Sequence, residues 1–340
     1  MWLKNIFNRN QPKTNKLPLF DERFLRRLER LNFRTSPRLR GAIVGEQPSR
    51  KLRPALDFSD HRSYTVGDDL RHVDWRAYGR TEELFVCLGE SSQSVDVHLL
   101  LDNSSSMSWQ DSEQIGLSKW DSARRLTGAL GYFGLSGGER IHITPFNQSL
   151  QAGFGPVQGK RQIVRTLQFL ASVTPAQAAK LSLANAVGLS QQQAEASLIQ
   201  NLTDYAQHHP RGGLLVLVSD LLDTAPSESG SPRSTADKLT EGLRYLVPPR
   251  WQVLIIHLLT EQEVAPIFID DLDLQDMETG DTLPFYFDEA TLAQYRLRMA
   301  RWCGELQSAC SKRGATYARI IAEWPLEKMV VPYLRQRKVV

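Results

Sequence analysis

Cysteine is scarce in this sequence: Cys87, Cys303 and Cys310 are the whole complement, an odd number with no C-x-x-C pair and no regular spacing. That excludes a disulfide framework and leads us to expect a reducing, cytoplasmic setting, with the thiols packed as small apolar groups. Long apolar runs are missing too. Nothing approaches the ~18–20 residues a membrane helix requires, so no transmembrane segment is expected. The opening stretch MWLKNIFNRNQPKTNK lacks the continuous apolar core and small-residue cleavage site of a secretory signal. Trp2, Leu3, Ile6 and Phe7 offer at most a weak peripheral contact with a bilayer. Nor does one sign of charge prevail. With 41 basic against 38 acidic residues the net charge is +3, which gives no ground for specific nucleic-acid binding. The basic residues crowd into the first 53 positions, among them Arg23, Arg26, Arg27 and Arg30, where a solvated face is the simpler reading.

Several catalytic signatures are absent as well. GFGPVQGK (153–160) lacks the four-residue gap and the Ser or Thr after Lys of a phosphate-binding loop, so its glycines are assigned to a hairpin and a helix entry. There is no G-x-S-x-G elbow and no H-E-x-x-H. The seven histidines are scattered along the chain, and the adjacent pair His208-His209 reads as a helix end, where the dipole favours imidazole.

What is present is an ordinary globular composition, 41% hydrophobic and 23% charged, over 340 residues. Residues 1–33 read as a basic arm with a short helix, since Phe24, Leu28 and Leu31 share one face of FDERFLRRLERLNF. Residues 34–92 are rich in Arg, Gly, Pro and Asp with short apolar pieces, which predicts a β-rich lobe including a strand at LFVCLGE (84–90). From residue 93 to 340 buried strands and amphipathic helices alternate. VDVHLLLD (95–102), RIHITPF (140–146), GGLLVLVSD (212–220), WQVLIIHLL (251–259) and ATYARIIA (315–322) are the strands. Helices are expected at 120–135, 160–173, 183–209, 235–247 and 291–314, a hairpin partner for the second strand in NQSLQAGF, and a further hairpin at 272–288. This rhythm predicts an α/β fold with a doubly wound, mostly parallel sheet of Rossmann-like type and an N-terminal β-rich extension.

The sharpest local feature is Asp102-Asn103-Ser104-Ser105-Ser106, directly after the first of these strands. The D-x-S-x-S spacing sets Asp102, Ser104 and Ser106 on one side of a loop leaving the sheet. A carboxylate and two hydroxyls are hard ligands suited to Mg²⁺, Mn²⁺ or Ca²⁺. The strand LLVLV ends in Ser219-Asp220. If the two strands are neighbours, Asp220 joins the Asp102 loop at the carboxyl edge of the sheet, where open α/β folds bind ligands. The competing reading is that Asp102 and Ser104 only cap the helical turn near Met107.

A second cluster, GDDLRHVDWR (67–76), packs Asp68, Asp69 and Asp74 beside Arg71 and Arg76. An ion-pair network that fixes geometry, with Trp75 packed against the neighbouring domain, is favoured over catalysis because no nucleophile or base accompanies the carboxylates. Trp302 and Trp324, at apolar positions, are read as core.

The strand–DxSxS–helix arrangement resembles the metal-ion-dependent adhesion site of von Willebrand factor A domains. The segment before it resembles the signature of the bacterial "domain of unknown function 58" family, R-x-Y-x-x-G-D-D-x-R-x-x-D-W-R-x-x-x-R. It is met by Arg62, Tyr64, Gly67, Asp68, Asp69, Arg71, Asp74, Trp75, Arg76 and Arg80. The resemblance runs over roughly residues 40–330. It implies a non-enzymatic protein-interaction module with Asp102, Ser104, Ser106 and Asp220 as metal ligands, and a partner such as a MoxR-type AAA+ ATPase. The family's second-loop Thr has no clean counterpart: Lys180-Leu181-Ser182 stands there, with Ser182 as the substitute hydroxyl, Thr174 within possible reach and Lys180 opposing a cation. A metal-assisted phosphohydrolase and a metal-free structural scaffold are the alternative functions.

Overall fold

A computed structural model describes residues 19–29, 53–54, 60–65, 73–89, 95–108, 118–175, 198–222, 234–266, 271–275, 282–286 and 288–336. The first helix, α1 (22–29), opens on Asp21, whose carboxylate accepts from the Phe24 amide at 2.8 Å. Its apolar face, Phe24, Leu25 and Leu28, is buried in the same core as the central sheet. Gly128 makes room for this docking, because a Cβ there would lie 2.9 Å from the Phe20 ring.

Strands β1 (Arg53–Pro54), β2 (Asp60–Ser63) and β3 (Phe85–Gly89) form a small antiparallel sheet in the order β1-β3-β2. Helix α2 (Trp75–Thr81) precedes β3, and Val73 and Val86 form an apolar cluster of their own, with Tyr64 and Leu84 against it.

The central sheet has six strands: β4 (Asp96–Asp102), β5 (Arg140–Phe146), β6 (Phe154–Gln158), β7 (Gly213–Ser219), β8 (Trp251–Leu259) and, after the separate strands β9 (Asp271–Gln275) and β10 (Thr282–Tyr286), β11 (Thr316–Ile321). The spatial order is β11-β8-β7-β4-β5-β6, and all pairs are parallel except β5–β6. From β4 the chain moves outward to β5 and β6, then crosses back to β7 and continues to the other edge. The order therefore reverses between β4 and β7, the position at which parallel sheets open a crevice at their carboxyl edge. The hairpin of β9 with β10 is antiparallel and falls on the span predicted as a hairpin.

Period-two alternation splits the strand residues between two cores. Val97, Leu99 and Leu101 of β4 face the layer with α1, α3 (Lys119–Gly137) and α4 (Ile163–Ser172). Leu100 faces the layer with α5 (Leu198–His208), α6 (Thr235–Gly242) and α8 (Glu289–Lys312). Burying each such Leu or Val contributes about 1.5–3 kcal/mol, which is why these strands read as continuous apolar runs. At the start of β7 only glycine fits: Gly213 has φ 145°, and a Cβ there would sit 2.2 Å from the Asp96 carbonyl oxygen.

Local differences from the sequence reading have physical causes. The hairpin partner of β5 starts only at Phe154, after the chain bridges back at Leu150. The helix expected at 235–247 stops at Gly242 and tightens into a 3₁₀ turn, Leu243–Tyr245. Of the helix expected at 183–209, residues 198–208 are described and helical, and 183–197 lie outside the described residues. Short helices α7 (Glu261–Val264), α9 (Leu326–Met329) and α10 (Val331–Gln336) carry too few periods to be legible in the sequence. Among the described residues no helix is long and apolar enough to cross a membrane.

Candidate functional site: a buried carboxylate cluster at the sheet's switch point

β4 delivers Asp102 and β7 delivers Asp220 to the same edge, because the two strands are parallel neighbours through Leu101↔Val218. Asp102 is buried. One carboxylate oxygen accepts from the Ser104 amide at 2.9 Å, folding the loop back on itself, and the other accepts a short hydrogen bond from the Ser219 hydroxyl. Ser104 Oγ and Ser106 Oγ stand 3.0 Å apart at the entry to the 3₁₀ turn Ser105–Ser108. The loop residues Asp102, Ser104 and Ser106 are thus brought together as the spacing predicts. The local turn of the competing reading is present as well. Asn103 braces the loop from behind, donating to Gln151 Oε1 at 3.0 Å and to the Thr174 carbonyl at 3.1 Å. Its own amide oxygen is buried with no partner among the described residues.

Asp220 is fully buried. The backbone turns sharply behind it: Leu221 adopts a left-handed φ of 57°, an uncommon state for a bulky side chain. The Ser219 hydroxyl accepts from the Leu221 amide at 2.9 Å, and an Asp220 carboxylate oxygen accepts from Leu222 N at 3.2 Å. The strain of this turn is held by hydrogen bonds on both sides.

Lys119 was not singled out in the sequence. It is the first residue of α3, after the N-cap Ser118, and its side chain is buried. The ammonium donates to Asp220 Oδ2 and to Glu263 Oε1, each at 2.8 Å. Glu263 is positioned by the capping box of α7, in which its other carboxylate oxygen accepts from Thr260 N at 2.7 Å. Charged groups at such depth persist only when paired and hydrogen-bonded. Burial disfavours the lysine charge, but Asp220 and Glu263 outweigh it and hold the ammonium above its usual range. Burial first, and the charge of Asp220 second, raise the Asp102 carboxyl to about 6. The cluster thus holds three carboxylates and one ammonium: Asp220 and Glu263 contact Lys119, and the Asp220 charge acts on Asp102. When all are ionised the cluster has two negative charges in excess. No sequence rule could have found Lys119, since its partners lie 101 and 144 residues away.

His257 on β8 lies in register with Ser219 and borders the cluster. Its Nδ1 is 2.6 Å from the Tyr317 hydroxyl, and burial lowers the imidazole to about 4, so it remains neutral.

Other sequence-derived candidates fare differently. Ser182 and Lys180 of the second loop, and Gly67, Asp68, Asp69 and Arg71 of the signature, lie outside the described residues. Asp74 is the N-cap of α2, accepting from Arg76 N at 2.9 Å and Ala77 N at 3.0 Å, a structural use of its carboxylate. Trp75 corrects the expectation of packing against a neighbouring domain: it is 59% exposed, edge-on to the exposed Tyr78. Arg76 and Arg80 are exposed on the same helix, where Arg80 Nε donates to the Arg76 carbonyl. Tyr64 packs beside Val73 and Val86, and Arg62 lies on β2. Trp302 and Trp324 are half-buried against the two cores, as expected.

Uncharacterized proteins of Mycobacterium bovis and Mycobacterium tuberculosis are 23% identical over 270 residues, covering 79% of this chain and 76% of theirs. Among solved structures, a conserved hypothetical protein BatB from Bacteroides thetaiotaomicron is 14% identical, with a TM-score of 0.38, over 72% of this chain and all of that one. An aerotolerance-related membrane protein from Bacteroides fragilis is 16% identical with the same TM-score, over 73% of this chain and all of its own. The family model described as "Protein of unknown function DUF58" matches residues 60–302, well over half the chain. This chain is therefore a member of the DUF58 family.

Proposed function

We propose that this chain is a non-enzymatic protein-interaction module. Its carboxylate cluster takes up Mg²⁺, or Mn²⁺ or Ca²⁺ in its place, and through it an acidic group of a partner protein. The observation that carries this reading is the meeting of Asp102 and Asp220 at the strand-order reversal, beside the paired Ser104 and Ser106 hydroxyls. The donor set fits a hard divalent cation: carboxylates and hydroxyls, two negative charges in excess, and the unpartnered Asn103 amide oxygen in the loop. Asp102, Ser104, Ser106 and Asp220 would hold the ion, with Ser182 as the second-loop candidate. When bound, the cation supplies an open coordination position for a carboxylate from outside. The order β6-β5-β4-β7-β8-β11 with one antiparallel edge strand supports a von Willebrand factor A-like domain as the carrier. The resemblance of the 62–80 signature suggests a MoxR-type AAA+ ATPase as partner class, met in the cytoplasm.

One observation favours a second reading, a metal-free scaffold: Lys119 already places a cation on Asp220. A phosphohydrolase is less well supported, because Asp74 is used as a helix cap.

Calorimetric titration with Mg²⁺ and Mn²⁺ of the wild type and an Asp102→Ala/Ser104→Ala variant separates the first two readings. Saturable binding in the wild type, lost in the variant, is the expected result. A wild type that binds neither ion overturns the cation-linked reading and leaves Lys119 as the resident charge.

A further inference from the structure

The histidines, dispersed in sequence, are not dispersed in space. His98 on β4 and His142 on β5 are register partners with stacked rings 4.4 Å apart. His209, following α5, meets both, with ring centroids 5.0 Å from His98 and 5.6 Å from His142. One nitrogen from each ring lies within 4.8 Å of one from each of the others. The trio sits toward the amino edge of the sheet. Asp102 lies four residue steps along β4 from His98, roughly 13 Å at ~3.3 Å per residue, so this is a different place from the carboxylate cluster.

We propose that His98, His142 and His209 form a binding site for a borderline transition-metal ion such as Zn²⁺. The hydrogen bonds around the rings carry the argument. His142 donates through Nε2 to Asp96 Oδ1 at 3.1 Å, which leaves Nδ1 as a lone-pair nitrogen. His209 donates through Nδ1 to the Tyr205 carbonyl at 3.0 Å, which leaves Nε2. This is the arrangement in which a carboxylate or carbonyl fixes the tautomer of a ligating imidazole. His98 lies 2.9 Å through Nδ1 from the Tyr205 hydroxyl and donates through Nε2 to the Gly212 carbonyl at 3.3 Å, the longest bond of the set. Moving its proton to Nδ1, with the Tyr205 oxygen accepting, frees Nε2 at the loss of that one long bond. Each ring then ligates through a lone-pair nitrogen and keeps its one N–H, so binding releases no proton from the rings. Two of the rings favour the neutral form: burial, then repulsion from His142 and His209, lowers His98 to about 3, and burial lowers His142. Metal–nitrogen bonds of about 2.0–2.1 Å need ligand nitrogens about 3.3–3.4 Å apart. The half-buried His142 and His209 must therefore swing inward on a fixed His98, unstacking the first pair. Arg140, whose charge bears on His98 and His142, is paired with Asp96 at 2.8 Å, and Arg250 donates to the His209 carbonyl at 3.5 Å. An ion held here ties β4, β5 and the turn before β7 together at the edge opposite the carboxylate cluster.

The test uses untagged full-length chain and Zn²⁺ alone. Calorimetry should give one saturable site, weakened at least about tenfold in His142→Ala/His209→Ala and to a comparable degree in Asp96→Asn. Cys303→Ser/Cys310→Ser should bind as the wild type does. Long-range ¹⁵N spectra of the wild type need no variant: one equivalent of Zn²⁺ should move the resonances of three of the seven imidazoles. A wild type with no saturable Zn²⁺ binding overturns the proposal, as does binding that leaves the imidazole spectra unchanged or survives intact in the folded double-histidine variant.

Discussion

Replacing Lys119 by Met removes the one ammonium from the cluster and keeps most of the side-chain volume. Lys119 and Asp220 have fully buried side chains, and that of Glu263 is 21% exposed. At an effective dielectric of about 20, a pair at this distance attracts by roughly 6 kcal/mol, most of which offsets the desolvation of the two charges. Breaking such a pair from one side leaves Asp220 buried and uncompensated, which costs about 3–5 kcal/mol. Urea denaturation at pH 7.5 in the presence of a chelator measures it. The sign of the pH dependence follows. The Asp102 carboxyl, raised to about 6 by burial and by the Asp220 charge, has a folded pKa above its unfolded one, so the charge penalty is full at neutral pH and is relieved as pH falls through that value. The gap to wild type should therefore narrow by pH 5. Lys119→Met/Asp220→Asn should recover at least about 2 kcal/mol relative to the single variant. A single variant within about 0.5 kcal/mol of wild type, or a gap indifferent to pH, would refute the charge accounting of this site.

Two further outcomes are expected. His98 takes up a proton near 6.5 when unfolded but only near 3 when folded, so its contribution is complete above pH 6.5 and is lost as pH falls towards 3. The slope approaches about 1.4 kcal/mol per pH unit for this one group. Denaturation midpoints at pH 7.5 and pH 5 should show the loss, and a flat profile between them counts against a neutral buried His98. Leu28→Ala, on the helix docked over Gly128, should cost about 2–5 kcal/mol in the same assay. A near-neutral result would mean that α1 is not part of the core.

Local patterns in the sequence determined the strands and helices of the α/β sheet, because continuous apolar runs and 3.6-residue periodicity each report burial directly. The sequence also determined the Asp102-Ser104-Ser106 loop and its companion Asp220, since a polar turn straight after a buried strand can only emerge at the sheet edge. Tertiary structure alone decided which strands are neighbours, and with that everything that depends on crossing the chain. Lys119 became the counter-ion of Asp220 and Glu263 only when the first residue of α3 was laid under the end of β7. His98, His142 and His209 became one cluster only when β4 paired with β5 and α5 returned the chain beside them. Trp75, apolar and beside charged neighbours, looked like a packing residue, yet it is exposed because α2 turns that face outward. Charge compensation and imidazole clustering are properties of distance in space, and separations of dozens to more than a hundred residues leave no periodic trace in the sequence.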